Sequence, residues 1–209
     1  PISEIFTIRD VMNSDANYPI VSPNFNNDYM QLYRFLQSPP SDKLDSDDFL
    51  EKRNHSLVEL PYKNYIHLHF DEKWKYDDYI KKYTNIEPSK EELILFIKKI
   101  LFKNNKLIIT TGKNSSVLLN SIKSSIDGLD VKIFENQNLM EIENIVFNSN
   151  LLITCHGWIS HIAAAKKIRQ IDIIDNSYPY KKWTSHFRNY NYLNRTSFKN
   201  LSKAILDLI

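Results

Sequence analysis

Cysteine is nearly absent from this chain. The single one among 209 residues, Cys155, excludes an intrachain disulfide and leaves the fold to be held by packing, as in a reducing cytoplasm. Glycine is almost as scarce, with three in all. The dinucleotide fingerprint G-x-G-x-x-G and the nucleophile elbow G-x-S-x-G do not occur, which argues against an ordinary NAD dehydrogenase or an α/β-hydrolase. Gly112-Lys113 precedes Asn114-Ser115-Ser116 in the manner of a phosphate loop, but Leu107 and Ile108 stand where a Walker ATPase needs its earlier glycine. No run of about 18 apolar residues is long enough to span a bilayer, so no transmembrane segment is expected. Charge of one sign is lacking too. The 27 basic and 25 acidic residues are dispersed, net +2, without the basic face that a nucleic-acid backbone requires.

What is present is a globular composition, 42% hydrophobic and 12% aromatic, with room for one core and a smaller annex. Residues 1–61 carry Pro39-Pro40 and an acidic patch from Asp42 to Asp48, and read as an N-terminal annex or linker. Residues 62–209 alternate short β-branched runs with longer amphipathic ones. Strands are expected at Tyr65 to Phe70, Lys106 to Thr111, Asp130 to Phe134, Leu151 to Thr154 and Gln170 to Ile174. Helices are expected at Lys90 to Phe102, Val117 to Ile126, Leu139 to Phe147 (capped by Asn138 with Glu141 at its third position), Ile159 to Lys167 and Ser197 to Leu208. Tyr178 to Tyr192 reads as an aromatic, basic loop. The pattern predicts an α/β fold with a doubly wound, Rossmann-like parallel sheet of about five strands, whose ligands sit beyond the carboxyl ends of the strands.

That rule gathers the candidate site. Cys155 to Trp158 forms a glycine turn between a buried strand and a helix, so the N–H groups of the first helical turn and the helix dipole make an anion site there. Gly157, without a Cβ, admits close approach to the backbone. His156, Ser160 and His161 belong to this turn. His69 and Lys73 follow the first strand, Lys113 and Asn114 the second, and Glu135 and Asn136 the third. Such a rim of lysines, amides and carboxylates suits a nucleotide diphosphate and its ribose. His67 and His69 share a strand face, but no His-x-x-x-His pair or CxxC accompanies them, and no metal is expected. Cys155, at a buried strand end beside a histidine pointing the other way, reads as a packing residue and not as a nucleophile.

The run His156-Gly157-x-x-Ser160-His161-x-Ala163-Ala164-Ala165 after a strand, together with Lys73-Trp74 after the first strand, resembles the C-terminal domain of GT-B glycosyltransferases, most nearly the lipopolysaccharide heptosyltransferase family. The resemblance covers residues 62 to 208. Two departures stand out: Cys155 and His156 occupy positions where that family has an acidic and a hydroxyl residue, and four steps instead of three separate glycine from histidine. The resemblance implies a metal-independent transferase without a cofactor, moving a sugar from a nucleotide-sugar donor to a glycan or lipid-linked acceptor of the cell envelope. It implies His161 and Lys73 as the catalytic groups, and is compatible with a cytoplasmic protein touching a membrane peripherally. Two alternatives stay open: a non-catalytic nucleotide-sugar or glycan-binding module, and an enzyme like the nucleotide-sugar epimerases.

Overall fold

A computed structural model describes residues 59–75, 84–103, 106–112, 116–175, 184 and 187–209. The annex expected at residues 1–61 therefore lies almost wholly outside the described residues. So do Lys113 and Asn114, and Tyr180, Lys181 and Trp183 of the expected aromatic loop.

Among the described residues, six strands form one sheet: β1 (Tyr65–His69), β2 (Leu107–Thr110), β3 (Val131–Phe134), β4 (Ser149–Cys155), β5 (Arg169–Ile174) and β6 (Tyr190–Asn194). Their order is β3-β2-β1-β4-β5-β6 and every pairing is parallel. The sixth strand begins inside the segment read as loop, Tyr178 to Tyr192, and runs two residues beyond it. Its outward positions are polar or aromatic and largely exposed, and it lies at the sheet edge, where a half-solvated strand carries little hydrophobic signal.

The described helices that connect the strands are α1 (Lys90–Lys103), α2 (Val117–Ile122), α3 (Leu139–Phe147) and α4 (Trp158–Ala165), and α5 (Phe198–Leu208) follows the last strand. The helix expected to reach Ile126 stops at Ile122 and continues as a 3-10 turn through Ser125. Reciprocal capping starts two of these helices. Ser89 and Glu92 exchange side-chain bonds with each other's backbone N–H at the start of α1, and Asn138 and Glu141 do the same at α3. The Asp127-Gly128 turn needs glycine, because Gly128 has φ +75°.

The period-two alternation of the strands distributes side chains to two cores. Ile66, Leu68, Ile109, Leu151 and Ile153 meet Leu93, Phe96, Ile97 and Ile100 of α1 and Phe198, Leu201 and Ile205 of α5. Leu152 on the opposite face meets Ile142 and Val146 of α3 and Ile159, Ile162 and Ala163 of α4. Full burial of each such side chain is worth roughly 1.5–3 kcal/mol. With helices on both faces, the chain reverses direction across the sheet between β1 and β4. That switch point opens a crevice at the carboxyl ends of those strands.

Candidate functional site

The crevice is built from the ends of β1 and β4. After β1 the chain turns through a short 3-10 segment, Glu72–Trp74, capped by Asp71, whose carboxylate accepts from the Lys73 N–H at 3.2 Å. Asp71 also pairs with Lys73 Nζ at 2.9 Å, and both side chains are buried. Burial opposes ionisation of Asp71, yet Lys73 and His69 outweigh it and hold the carboxyl down at about 2. Arg195, just beyond β6, anchors the segment from behind by donating to the Lys73 carbonyl at 2.7 Å and to the Thr84 carbonyl at 3.0 Å.

Lys73 reaches across to the turn after β4, where Nζ donates to the His156 carbonyl at 3.4 Å. Gly157 there is fully extended (φ −179°), a conformation any residue adopts, so its value lies in space. A Cβ on Gly157 would collide with Lys73 Nζ. The room expected for an anion's approach is thus shared with the ammonium group that would attract it. Gly157 also begins α4: its N–H donates to Ser160 Oγ at 3.3 Å, and the Ser160 N–H donates back to the Gly157 carbonyl.

Behind the turn lies a second carboxylate. Asp172 of β5, fully buried, accepts from Ser160 Oγ at 2.8 Å and from Tyr190 Oη at 3.3 Å, and its Oδ2 lies 2.5 Å from His156 Nδ1. His161 is also buried. Its ring stands edge-on to Phe187 at 4.9 Å and to His156 at 5.8 Å between centroids. It backs the turn and does not line the open cleft on the other side.

That cleft has a volume of about 380 Å³ and is lined by His69, Asp71, Lys73, Asn136, Gln137 and Trp158, with Glu72, Thr111, Gly112 and Ile142 completing it. His69, Lys73 and Asn136 of the expected set line it, whereas His156, Gly157, Ser160 and His161 do not. Asn136 holds a left-handed backbone (φ +57°), which turns the chain out of β3. Glu135 does not line it: its carboxylate pairs with Lys123 at 3.0 Å. Gln137 lines the cleft, its side-chain Nε2 donating to the Glu135 carbonyl at 2.9 Å.

Cys155 is fully buried, with Arg195 Nη1 3.5 Å from its sulfur; burial pushes its thiol well above the usual range. His67 and His69 are both engaged by Thr110 Oγ1, at 2.7 and 2.8 Å. Burial, and then the neighbouring His69, lower the pKa of His67 far below that of a free imidazole. Among the described residues, no three His, Cys, Asp or Glu side chains are arranged to hold a metal, and no helix is long and apolar enough to cross a membrane.

Sequence reasoning missed Asp172, Tyr190, Thr110 and Arg195 as members of this region. For Asp172 the signal existed: it is the one charge inside the otherwise apolar Ile171-Asp172-Ile173-Ile174. A charge at the centre of a buried strand calls for a partner.

No family model matches the sequence, and no curated protein matches it. Solved structures do. A putative UDP-N-acetylglucosamine 2-epimerase from Listeria monocytogenes superposes with a TM-score of 0.51 at 11% identity, over 86% of this chain and 43% of that one. The UDP-GlcNAc 2-epimerase of Methanocaldococcus jannaschii, in complex with UDP-GlcNAc and UDP, gives 0.50 at 14% identity, over 85% and 44%. The E. coli heptosyltransferase WaaC with ADP-2-deoxy-2-fluoro heptose gives 0.49 at 13%, over 86% and 55%. The two epimerase superpositions show the Rossmann-like, parallel-sheet architecture of GT-B fold proteins, the fold the resemblance implied. Identities this low carry the fold alone. The chain spans less than half the length of the two epimerases.

Proposed function

We propose that this chain binds a nucleotide-sugar at the carboxyl ends of β1 to β4 and serves as the donor-binding part of a GT-B-type glycosyltransferase acting on a glycan or lipid-linked acceptor of the cell envelope. The observation that carries the reading is the buried Lys73 ammonium, held by Asp71 over Gly157 at the switch point where α4 begins. A diphosphate placed there meets Lys73 and the N–H groups of Trp158 and Ile159, which have no carbonyl four residues back within the helix. The same groups would stabilise charge developing on the departing diphosphate as the sugar leaves, without reorganisation at the moment of reaction. Asn136 offers its amide group to a base or ribose at the far wall of the cleft. In this scheme Lys73 meets the phosphate, while His161 supports His156 from behind and so holds the turn.

Calorimetry of the full chain with UDP, GDP, ADP and CDP tests the proposal. Saturable binding of at least one is expected, and failure of all four at millimolar concentration would overturn it. Transfer assays with the nucleotide-sugar of the base that binds then separate the alternatives. Binding without hydrolysis or transfer points to the non-catalytic module, and isomerisation of the sugar without an acceptor points to epimerase-like chemistry, the activity the names of two structural neighbours state.

A further inference from the structure

Thr110 places one hydroxyl between two imidazoles, 2.7 Å from His67 Nε2 and 2.8 Å from His69 Nδ1, and all three side chains are buried. A hydroxyl has one proton and two lone pairs, so it donates to at most one ring. Accepting from both neutral rings would leave its own proton buried without an acceptor among the described residues, so it donates to one ring and accepts from the other. Two directions are open. If His69 Nδ1–H donates to Thr110, the hydroxyl donates to His67 Nε2. His67 must then carry its proton on Nδ1, a fully buried atom with no hydrogen-bond partner among the described residues. In the same arrangement the bare Nε2 lone pair of His69 faces Asp71 Oδ2 at 3.5 Å. That direction leaves a buried donor unsatisfied and sets two acceptors against each other. If His67 Nε2–H donates to Thr110 and Thr110 donates to His69 Nδ1, His69 carries its proton on Nε2 and directs it at Asp71. The only unfilled group is then an acceptor lone pair on His67, the cheaper omission.

We propose that His67, Thr110 and His69 form a one-way hydrogen-bond chain that ends on Asp71, and that Thr110 is a positioning residue which, through Asp71, fixes Lys73 at the Gly157 turn for a diphosphate. The use of the chain rests on the function proposed above; its direction does not. The carboxylate receives donors from two sides, His69 Nε2 and Lys73 Nζ, and its other oxygen takes the Lys73 backbone N–H, so it is tied at both oxygens. Such a carboxylate cannot swing away when an anion enters, and the lysine it holds stays aimed at the turn. The device needs Asp71, His69 and Lys73 in the tight spacing that the turn after β1 gives, and a hydroxyl on the neighbouring strand. The parallel register that pairs His69 with Thr110 supplies the latter.

Two measurements on the full chain test this. Nitrogen-15 NMR of the imidazoles near pH 7.5 should show both His67 and His69 protonated at Nε2; a proton on Nδ1 of His69 would overturn the chain whether or not any nucleotide binds. The diphosphate that binds the wild type should bind Thr110→Val about tenfold more weakly and Thr110→Ser within about threefold. In a Lys73→Met background, Thr110→Val should cost nothing further, since the effect runs through the lysine. Unchanged affinity in Thr110→Val, or an equal loss in both backgrounds, would reduce Thr110 to a packing residue. A wild type that binds no nucleoside diphosphate would instead sink the functional reading, with the ring tautomers still deciding the chain's direction.

Discussion

Two buried carboxylates flank the turn at Gly157, and they are built differently. Asp71 stands at the end of β1, at the wall of the open cleft, and its principal partner is a cation, Lys73. Asp172 stands inside β5, sealed behind the turn, and its partners are the Ser160 and Tyr190 hydroxyls and the His156 ring, none of them a permanent cation. The first carboxylate holds a positive charge ready in a place a ligand can reach. The second ties α4, β5 and β6 to the turn through its bonds to Ser160, Tyr190 and His156. Proximity to the same glycine therefore does not make two acids equivalent; what each one holds determines its part.

The comparison is broken most directly by removing each charge in turn. Asp71→Asn removes the carboxylate charge that pairs with the buried Lys73 ammonium at 2.9 Å, which should cost about 3 kcal/mol of stability in urea unfolding. If Lys73 instead relaxes into solvent at little cost, Asp71 is no more than a surface partner, and the contrast with Asp172 weakens. Gly157→Val comes next. Its side chain enters the space of Lys73 Nζ, so nucleoside diphosphate affinity should fall by about 100-fold, near 3 kcal/mol, while the circular dichroism of the sheet is kept. Undiminished affinity would show that the ligand does not use the turn.

Asp172→Asn should cost less, about 1–3 kcal/mol, because an amide oxygen still accepts from one hydroxyl and no cation is stranded. Its signature is different as well. The loss should appear as a lower melting temperature, with any loss of diphosphate affinity smaller than that of Gly157→Val. A larger loss of affinity than of stability would move Asp172 from the scaffold to the ligand side.

How far these two acids are legible in the sequence depends on where their partners lie. Asp71 and Lys73 are two residues apart after a clear strand, so their place on the rim is legible, as are Gly157, the capped helix at Asn138 and the alternation of strands and helices. The partners of Asp172 come from three elements, and one of these, β6, is an edge strand whose Tyr-Asn-Tyr-Leu-Asn carries no apolar run. With Tyr178 to Tyr192 read as loop and Arg195 given no element, neither Tyr190 nor Arg195 has a defined place, and neither do the bonds they make. His161 is legible as part of the turn, but its side of the turn is not, because Phe187 packs on it from a segment with no regular pattern. Local spacing identifies the residues just beyond a strand; it does not show which of two faces a buried ring will find.

Acid titration gives the finest division between the two carboxylates. Asp71 ionises at about 2 in the fold, below the 3.8 of a free side chain, so the unfolded chain binds its proton more readily as the solution is acidified. The stabilisation is therefore complete above roughly pH 5. It is lost progressively as pH falls through 4 toward 2, and amounts to about 2 kcal/mol for this one group. Wild type should lose that increment between pH 5 and 2 in denaturant unfolding, and Asp71→Asn, starting lower, should show a slope in that window flatter by the same amount. Equal slopes would mean that Asp71 is not held down by Lys73 and His69 in solution, and the lysine over Gly157 would then lose the anchor on which the site depends.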